Sequence, residues 1–288
     1  MPAAPFPIPP RHWSAWRTTD FARLQASGNA AHAVAVLPVA ATEQHGPHLP
    51  LGVDTALVEG VIAAALPHLP VELTALFLPT QAVGFSPEHT AFPGTLTFSA
   101  ETLVRIWTEI GEAVARTGIR RLLLLNGHGG QVGAMDLVAR DLRARCGLIV
   151  YSSSWFSLPL PDAVQGLFPP HEHRFGIHAG DIETSMMLHL HPALVDMAQA
   201  RDFHSTSEDR AAQYPILGNG RSAKLGWQMQ DYNRQGAAGN AAAATAEKGA
   251  ATVEAAGRQL ALLLQEIAAL PLSTLVASPD LGDLGAAG

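Results

Sequence analysis

The chain has 288 residues, of which 48% are hydrophobic and 15% charged, and its formal charge is −7. This composition supports a large buried core and excludes an intrinsically disordered chain. No run of basic residues stands out, so nucleic acid is not an expected partner. The apolar stretches are too short, or too interrupted by charge and proline, to span a bilayer, so no membrane partner is expected either.

The single cysteine, Cys146, excludes an internal disulfide and a thiolate-rich zinc site. Unpaired cysteine is typical of a reducing compartment, so the predicted location is the cytoplasm. The proline-rich residues 1–15 lack the features of a secretory signal and are predicted to form an extended arm. Residues 272–288 are expected to form a flexible tail.

Apolar patterning predicts strands that alternate with helices along the chain. Strands are predicted at 33–40, 73–83, 121–125 and 147–155, and helices at 55–69, 99–118, 131–146 and 240–269. Asp54 or Thr55 is the expected N-cap of the first of these helices, and Ser99 of the second. This order predicts a single α/β domain over 1–288, layered α/β/α with a mostly parallel sheet.

Two long segments, 156–177 and 202–240, give no clear secondary-structure pattern. Loops of this length usually cover a functional site or become buried against a partner subunit.

Ionisable side chains are concentrated in the loops that follow two of the predicted strands. Glu43 and His45 are two residues apart, so in an extended chain their side chains point to the same side. Asp54 follows after a turn rich in glycine and proline, and His128 lies between two glycines. Loops at the carboxyl ends of parallel strands are where α/β proteins bind ligands. Glu183, near the start of a later helix, is a fifth candidate.

These five side chains make a mixed set of three carboxylates and two imidazoles. Such a set suits Zn²⁺ or Mn²⁺ better than Ca²⁺ or copper. If one carboxylate bridges, the set gives three ligands to each of two divalent ions, and a shared hydroxide would bring the cluster to neutrality. A ligand set of this kind is typical of a two-metal hydrolase.

Each part of this pattern also has a simpler interpretation. A lone E-x-H is weak, because a histidine at a strand end is commonly a hydrogen-bonded loop residue. The segment "NGHGG" is compatible with an ordinary turn, and it lacks the Lys-Ser/Thr ending of a phosphate-binding loop. Glu183 in the first turn of a helix is also favoured by the helix dipole. The "HEH" at 171–173 is interpreted as a solvated loop rather than a metal site.

Four ordered blocks, "LPVAATEQHGPHLPLGVDT", "SPEHTAFPGT", "LLLLNGHGGQ" and "HAGDIETS", resemble the signatures of the creatininase (creatinine amidohydrolase) family over about residues 33–250. The resemblance implies a layered α/β fold, a homohexamer and a binuclear metal centre. It pairs the ligands as Glu43, Asp54 and His128 for one ion and His45, Asp54 and Glu183 for the other, with Asp54 bridging.

The resemblance also implies roles for residues outside the ligand set. His178 matches the family histidine that shuttles a proton, and its ordinary pKa suits a general acid or base. A histidine that caps a helix is the alternative. Glu88 and His89 lie in the block that faces the substrate pocket, although a solvent-exposed loop pair remains open. Trp155 resembles an aromatic wall of the substrate pocket, with a core position as the alternative. Gly129 is also assigned to substrate binding. Arg174 is assigned there for its charge and not from the resemblance, because its guanidinium suits an anionic substrate; a salt bridge on the lid is the alternative.

The sequence departs from creatinine-cleaving members at two places. Arg174 and Ile177 stand where those members carry aromatic and acidic residues, and Gly130 stands where they have a glutamate. Creatinine itself is therefore an uncertain substrate, and the motifs are closer to branches that remove a formyl group or trim a peptide. The predicted function is hydrolysis of a C–N bond in a small-molecule cyclic amide, formamide or peptide-like amide. The alternatives are a non-catalytic metal-binding assembly subunit and a two-metal phosphoester hydrolase.

Overall fold

The computed structural model describes residues 11–280. Its strands are β1 Val34–Val39, β2 Ala75–Phe77, β3 Arg121–Asn126, β4 Ile149–Ser154, β5 Asp202–Phe203 and β6 Gly239–Asn240. Its α-helices are α1 Thr18–Ala26, α2 Val53–Ala65, α3 Ala100–Arg116, α4 Val132–Cys146, α5 Asp162–Gln165, α6 Pro170–Phe175, α7 Asp181–Leu190, α8 Thr206–Gln213, α9 Met229–Tyr232 and α10 Ala246–Ala269.

The central sheet has four parallel strands in the order β2-β1-β3-β4. Both central strands are buried along their whole length, as expected for a sheet covered on two faces. Successive side chains alternate between the faces, since Val34 and Val36 of β1 enter one apolar cluster and Ala35 and Leu37 the other. The layered α/β architecture is therefore built on β1 and β3.

Helices cover the two faces in separate groups. Buried residues of α2, α7 and α10 share a cluster with one face, and residues of α1, α3 and α4 share a cluster with the other. β5 and β6 pair antiparallel in a separate two-stranded sheet. Among residues 11–280, no helix is long and apolar enough to cross a lipid bilayer.

Several predicted boundaries differ from the structure. Neither Asp54 nor Thr55 caps α2, because the helix begins at Val53 with Gly52 in the N-cap position. β2 covers three residues instead of the predicted 73–83, and Pro79, which has no amide hydrogen, lies just beyond it. The last long helix begins at Ala246, where the Thr245 hydroxyl accepts a hydrogen bond from the Lys248 amide. The expected cap of α3 is confirmed, since Ser99 accepts from Thr102.

The segments without a clear sequence pattern contain short elements. Residues 156–177 include α5 and α6, and 202–240 include β5, α8, α9 and β6. In the described part of the predicted N-terminal arm, Trp13–Ala15 form a 3₁₀ turn, and residues 1–10 lie outside the described range. In the predicted tail, Leu272–Thr274 form another such turn, and 281–288 also lie outside.

We expect Gly249→Ala to destabilise the fold by about 1–3 kcal/mol, as overpacking of a tight contact does. A methyl group at Gly249 of α10 would overlap the Ser185 carbonyl of α7, which is backbone and cannot turn aside. Urea unfolding followed by circular dichroism measures the change. Gly133→Ala in α4 is the matched control, because a Cβ there meets nothing within 4 Å. Equal unfolding midpoints for the two variants would contradict this account of the α7–α10 contact.

Candidate metal centre

The site is assembled where β1 and β3 end side by side. Val39 and Asn126 are the last residues of the paired strands, and the Gly127 amide donates to the Val39 carbonyl at 2.8 Å. The Asn126 side chain then shapes the turn, since its Nδ2 donates to the His128 carbonyl at 2.6 Å and its Oδ1 accepts from the His128 amide at 3.0 Å. These bonds hold His128 beside the loop that follows β1.

Gly127 also lets the turn approach the first turn of α2. A Cβ at this position would lie 2.7 Å from the Asp54 carbonyl oxygen, closer than real side chains come. The absence of a side chain therefore brings His128 within reach of the Asp54 carboxylate.

The five predicted ligands lie together in two sets that share one residue. Within each set the candidate donor atoms are all within 4.8 Å of one another. The sets are Glu43, Asp54 and His128, and His45, Asp54 and Glu183. Residues far apart in sequence thus form the groups that the family resemblance implies.

Asp54 lies between the two sets with one oxygen toward each. Its Oδ1 is 3.4 Å from His45 Nε2, and its Oδ2 is 3.5 Å from His128 Nδ1. A carboxylate in this position is able to bridge two cations.

Hydrogen bonds to the backbone fix how each imidazole faces the site. His45 Nδ1 donates to the Glu43 carbonyl at 3.0 Å, which leaves Nε2 toward Asp54. His128 Nε2 donates to the Phe85 carbonyl at 3.1 Å, which leaves Nδ1 toward Glu43 and Asp54. Orientation of a histidine by a hydrogen bond from its other ring nitrogen is typical of metal ligands.

Buried polar atoms without hydrogen-bond partners are concentrated at this site. Within the described residues they include both carboxylate oxygens of Glu43, His45 Nε2, Asp54 Oδ2 and Glu88 Oε1. Buried acceptors without donors are costly, and they mark a place for a missing ion or water. The residues present therefore fit a bound cation.

The electrostatic environment also favours positive charge. Burial alone would lower the pKa of His45, but Asp54, Glu183 and Glu43 raise it to about 9. Burial and the Glu43 carboxylate raise the pKa of Asp54, and burial raises the pKa of Glu183. In Glu43, the effect of burial is overcome by His128, His89 and His178, which hold the pKa well below its usual range.

His178 lies directly against the two ligand sets. Its ring centroid is 4.2 Å from that of His45 and 4.4 Å from that of His89. His178 Nε2 donates to the Gln44 carbonyl at 2.8 Å, so Nδ1 faces the site, 3.9 Å from Glu43 Oε1. Burial, with the nearby His45 and His89, lowers the pKa of His178 well below its usual value, so the ring is neutral near pH 7. It is not a helix cap, because α7 begins at Asp181.

Glu88 and His89 are buried, which removes the alternative of a solvent-exposed loop pair. His89 Nε2 is 3.3 Å from Glu43 Oε1, and its Nδ1 accepts from the Gln44 side chain at 2.7 Å. Gln44 is a neighbour that sequence reasoning missed. The sequence offered no signal for it, because in an extended chain the residue between Glu43 and His45 points to the opposite side.

The turn between His178 and Glu183 has an unusual backbone. Ala179 has φ of 54°, the only positive value among non-glycine residues in the described range. This conformation is uncommon for a residue with a side chain. The Ala179 amide donates to Glu183 Oε2 at 2.6 Å, so the turn orients the Glu183 carboxylate.

Glu172 stabilises the backbone of this turn, and this residue was not identified from the sequence. Its carboxylate accepts from the Asp181 amide at 2.7 Å and from the Asn240 amide at 2.9 Å. The interpretation of "HEH" as a solvated loop is wrong in two respects, since residues 171–173 lie in α6 and Glu172 is 1% exposed. His171 and His173 are exposed, as expected. Three surrounding glycines, Gly176, Gly180 and Gly239, leave room for the carboxylate. Because Gly239 is far from Glu172 in the sequence, no local sequence signal indicated this packing.

The predicted substrate-binding residues are not brought together in the same way. Trp155 is buried in the apolar core that α2, α7 and α10 share with the sheet. Arg174 is exposed, stacks on Phe175 and donates to the Gly218 carbonyl at 3.4 Å. Gly129 is exposed beside His128. Trp227, from a segment without a sequence assignment, meets His89 edge to face with ring centroids 6.1 Å apart.

A family model described as creatininase, creatinine amidohydrolase, matches residues 17–264. The chain belongs to the creatininase family. It is 34% identical over 183 residues to the creatinine amidohydrolase of Pseudomonas putida, covering 59% of this chain and 68% of that one. It is 37% identical over 164 residues to the mycofactocin precursor peptide peptidase of Mycobacterium tuberculosis (strain CDC 1551 / Oshkosh), covering 55% of this chain and 59% of the relative. The chain therefore spans less than two thirds of that peptidase.

Solved structures of creatininases have the same fold as this chain. A Mn form superposes with a TM-score of 0.70 at 27% identity, covering 90% of this chain and 99% of that one. A mutant of the Zn-Zn type gives a TM-score of 0.71 at 27% identity, covering 90% of this chain and 98% of that one. The predicted creatininase-like α/β fold is confirmed.

We expect Glu172→Ala to lower the free energy of unfolding by about 2–5 kcal/mol, because it leaves two buried amide donors without an acceptor. Thermal and urea unfolding measure the loss. Glu109→Ala is the control, since that side chain is exposed and forms only a surface pair with Arg105; we expect a change of about 0.5 kcal/mol or less. A Glu172→Ala protein as stable as the control would rule out a stabilising role for the two hydrogen bonds that Glu172 accepts.

Proposed function

We propose that this chain is a binuclear metal-dependent amidohydrolase that cleaves the C–N bond of a small amide. The observation that carries the proposal is the Asp54 carboxylate, which has one oxygen toward each of two ligand sets. Two further observations indicate that the pocket favours cations. Several buried acceptors have no hydrogen-bond donor, and the pKa of His45 is raised to about 9.

We assign Glu43, Asp54 and His128 to one ion and His45, Asp54 and Glu183 to the other. Two further triads also have suitable spacing, Glu43–His45–His178 and Glu43–Glu88–His89. The assigned pair is preferred because its two sets share only Asp54, which has an oxygen for each. Mixed oxygen and nitrogen ligands suit Zn²⁺ and Mn²⁺, and the related Mn and Zn-Zn creatininases support the same choice. When bound, such ions polarise an amide carbonyl and acidify a shared water.

The chain's own residues complete the chemistry. Hydrolysis adds the hydroxyl of water to the carbonyl carbon and its remaining proton to the departing nitrogen. His178 is suited to carry that proton, because Nε2 is engaged by the Gln44 carbonyl and Nδ1 faces the site. A neutral imidazole accepts the proton from water and returns it to nitrogen as the C–N bond breaks. His89 lies between Gln44 and Glu43, and Trp227 lies against it. These two aromatic side chains form the wall of the proposed pocket next to His178.

The substrate class remains a formamide, a cyclic amide or a small peptide-like amide. The relatives named creatinine amidohydrolase and mycofactocin precursor peptide peptidase support C–N bonds of this range. We keep substrate-pocket roles for Trp155, Arg174 and Gly129 as predictions. A cytoplasmic location, supported by the single free cysteine, and a homohexamer, supported by family resemblance, are also part of the proposal.

We expect the wild-type chain to hold two divalent ions and Asp54→Asn to lose retention of both, because this residue contributes to both sets. Glu183→Gln should retain one ion, since the Glu43–Asp54–His128 set stays intact. Elemental analysis after dialysis against a weak chelator measures the stoichiometry. Equal losses in the two variants would argue against a bridging Asp54.

We expect the metal-loaded chain to hydrolyse at least one member of a panel of formamides, lactams, creatinine and short peptides, and chelation to abolish this activity. Mass spectrometry detects the products.

His178→Asn should lower kcat by about 10²–10⁴-fold while both ions are retained, as loss of a proton-transfer group does. A chain that binds two ions but hydrolyses no amide favours the assembly-subunit alternative, and turnover of a phosphoester instead would favour the phosphoester hydrolase.

A further inference from the structure

Glu88 has no defined role in the assignment above, yet it points into the site. It lies in the short 3₁₀ helix Pro87–His89 that precedes α3 and is 7% exposed. Its Oε1 is buried and lies 3.1 Å from His128 Nε2, a donor that it shares with the Phe85 carbonyl, which is also 3.1 Å from that nitrogen. A desolvated carboxylate with an unsatisfied oxygen needs a cation or a donor nearby.

Glu88 also lies beside the Glu43 end of the proposed metal centre. Candidate ligand atoms of Glu43, Glu88 and His89 are within 4.8 Å of one another. Glu43 is shared between this triad and the set that contains Asp54 and His128. Two buried carboxylates at such short range repel each other unless positive charge lies between or beside them.

The space for Glu88 exists because residue 130 has no side chain. A Cβ on Gly130 would overlap Glu88 Oε1 and would lie 2.5 Å from His128 Nε2. Any side chain at 130 would therefore displace the Glu88 carboxylate.

From this geometry, and resting on the proposed function, we propose that Glu88 is the fourth carboxylate of the metal centre and strengthens retention of the ion at the Glu43 corner. Its carboxylate reaches, from the loop before α3, the space that a side chain at position 130 would otherwise occupy. It adds a further carboxylate to Glu43, Asp54 and Glu183, and so strengthens the attraction for a divalent cation at this corner.

The test is metal retention in Glu88→Gln, which keeps the size of the side chain and removes its charge. Wild type and variant are loaded with Zn²⁺ or Mn²⁺ and titrated with a competing chelator, and bound ions are counted by elemental analysis. We expect one of the two ions to be held about 10–100-fold more weakly, in the range found when groups that support a metal site are removed. Glu101→Gln on α3, which is exposed, is the control with unchanged affinity. Melting curves of the metal-free proteins verify that both variants fold.

A second variant tests the same contribution. Glu88→Gly, which removes the side chain altogether, should weaken the same ion at least as much as Glu88→Gln does. Wild-type affinity for both ions in Glu88→Gln would overturn the inference, as would a variant in which only KM for an amide changes, since that result assigns Glu88 to substrate binding. Failure of the wild type to bind two ions would overturn the proposed function as well, so the two failures are distinguishable.

Discussion

The structure depends on one electrostatic constraint, which is the burial of several carboxylates around Asp54 with too few internal donors. Asp54 is 2% exposed and has an imidazole at about the same distance on each side, 3.4 Å to His45 and 3.5 Å to His128. Burial of charge on this scale is unfavourable unless cations compensate it. The arrangement leaves a pocket that favours positive charge, which the proposed metal ions would supply.

The parallel sheet and two helix termini position these charges. Glu43 and His45 follow β1, and His128 follows the adjacent β3, so three donors emerge from neighbouring strand ends. Asp54 and Glu183 lie in the first turns of α2 and α7. The partial positive charge of a helix N-terminus stabilises carboxylates there, although it is too small to neutralise them. A rigid scaffold therefore holds the donors, and the remaining charge favours ions.

The irregular segments determine the second layer of the site. The strained Ala179 conformation orients Glu183, and Glu172 fixes the surrounding backbone by accepting from two amides in different elements. Trp227 reaches His89 from a segment with little regular structure. Strain of this kind persists only where surrounding contacts hold it, and it is commonly found at functional sites. The long loops thus belong to the site as much as the strands do.

The sequence by itself determined the strand and helix alternation, the family and the five candidate ligands, because each is written in local patterns of apolar spacing or in contiguous motifs. Helix and strand ends were less accurate, as α2 illustrates: Asp54 or Thr55 was expected as its N-cap, but the helix begins at Val53 with Gly52 in that position. Only the tertiary structure decided that Glu172 is buried, that Trp227 adjoins His89, and that Glu88 lies over Gly130. These relations join residues far apart in the chain, 42 positions for Glu88 and Gly130 and 138 positions for His89 and Trp227. The desolvation that gives a carboxylate its role depends on which distant segments exclude water from it.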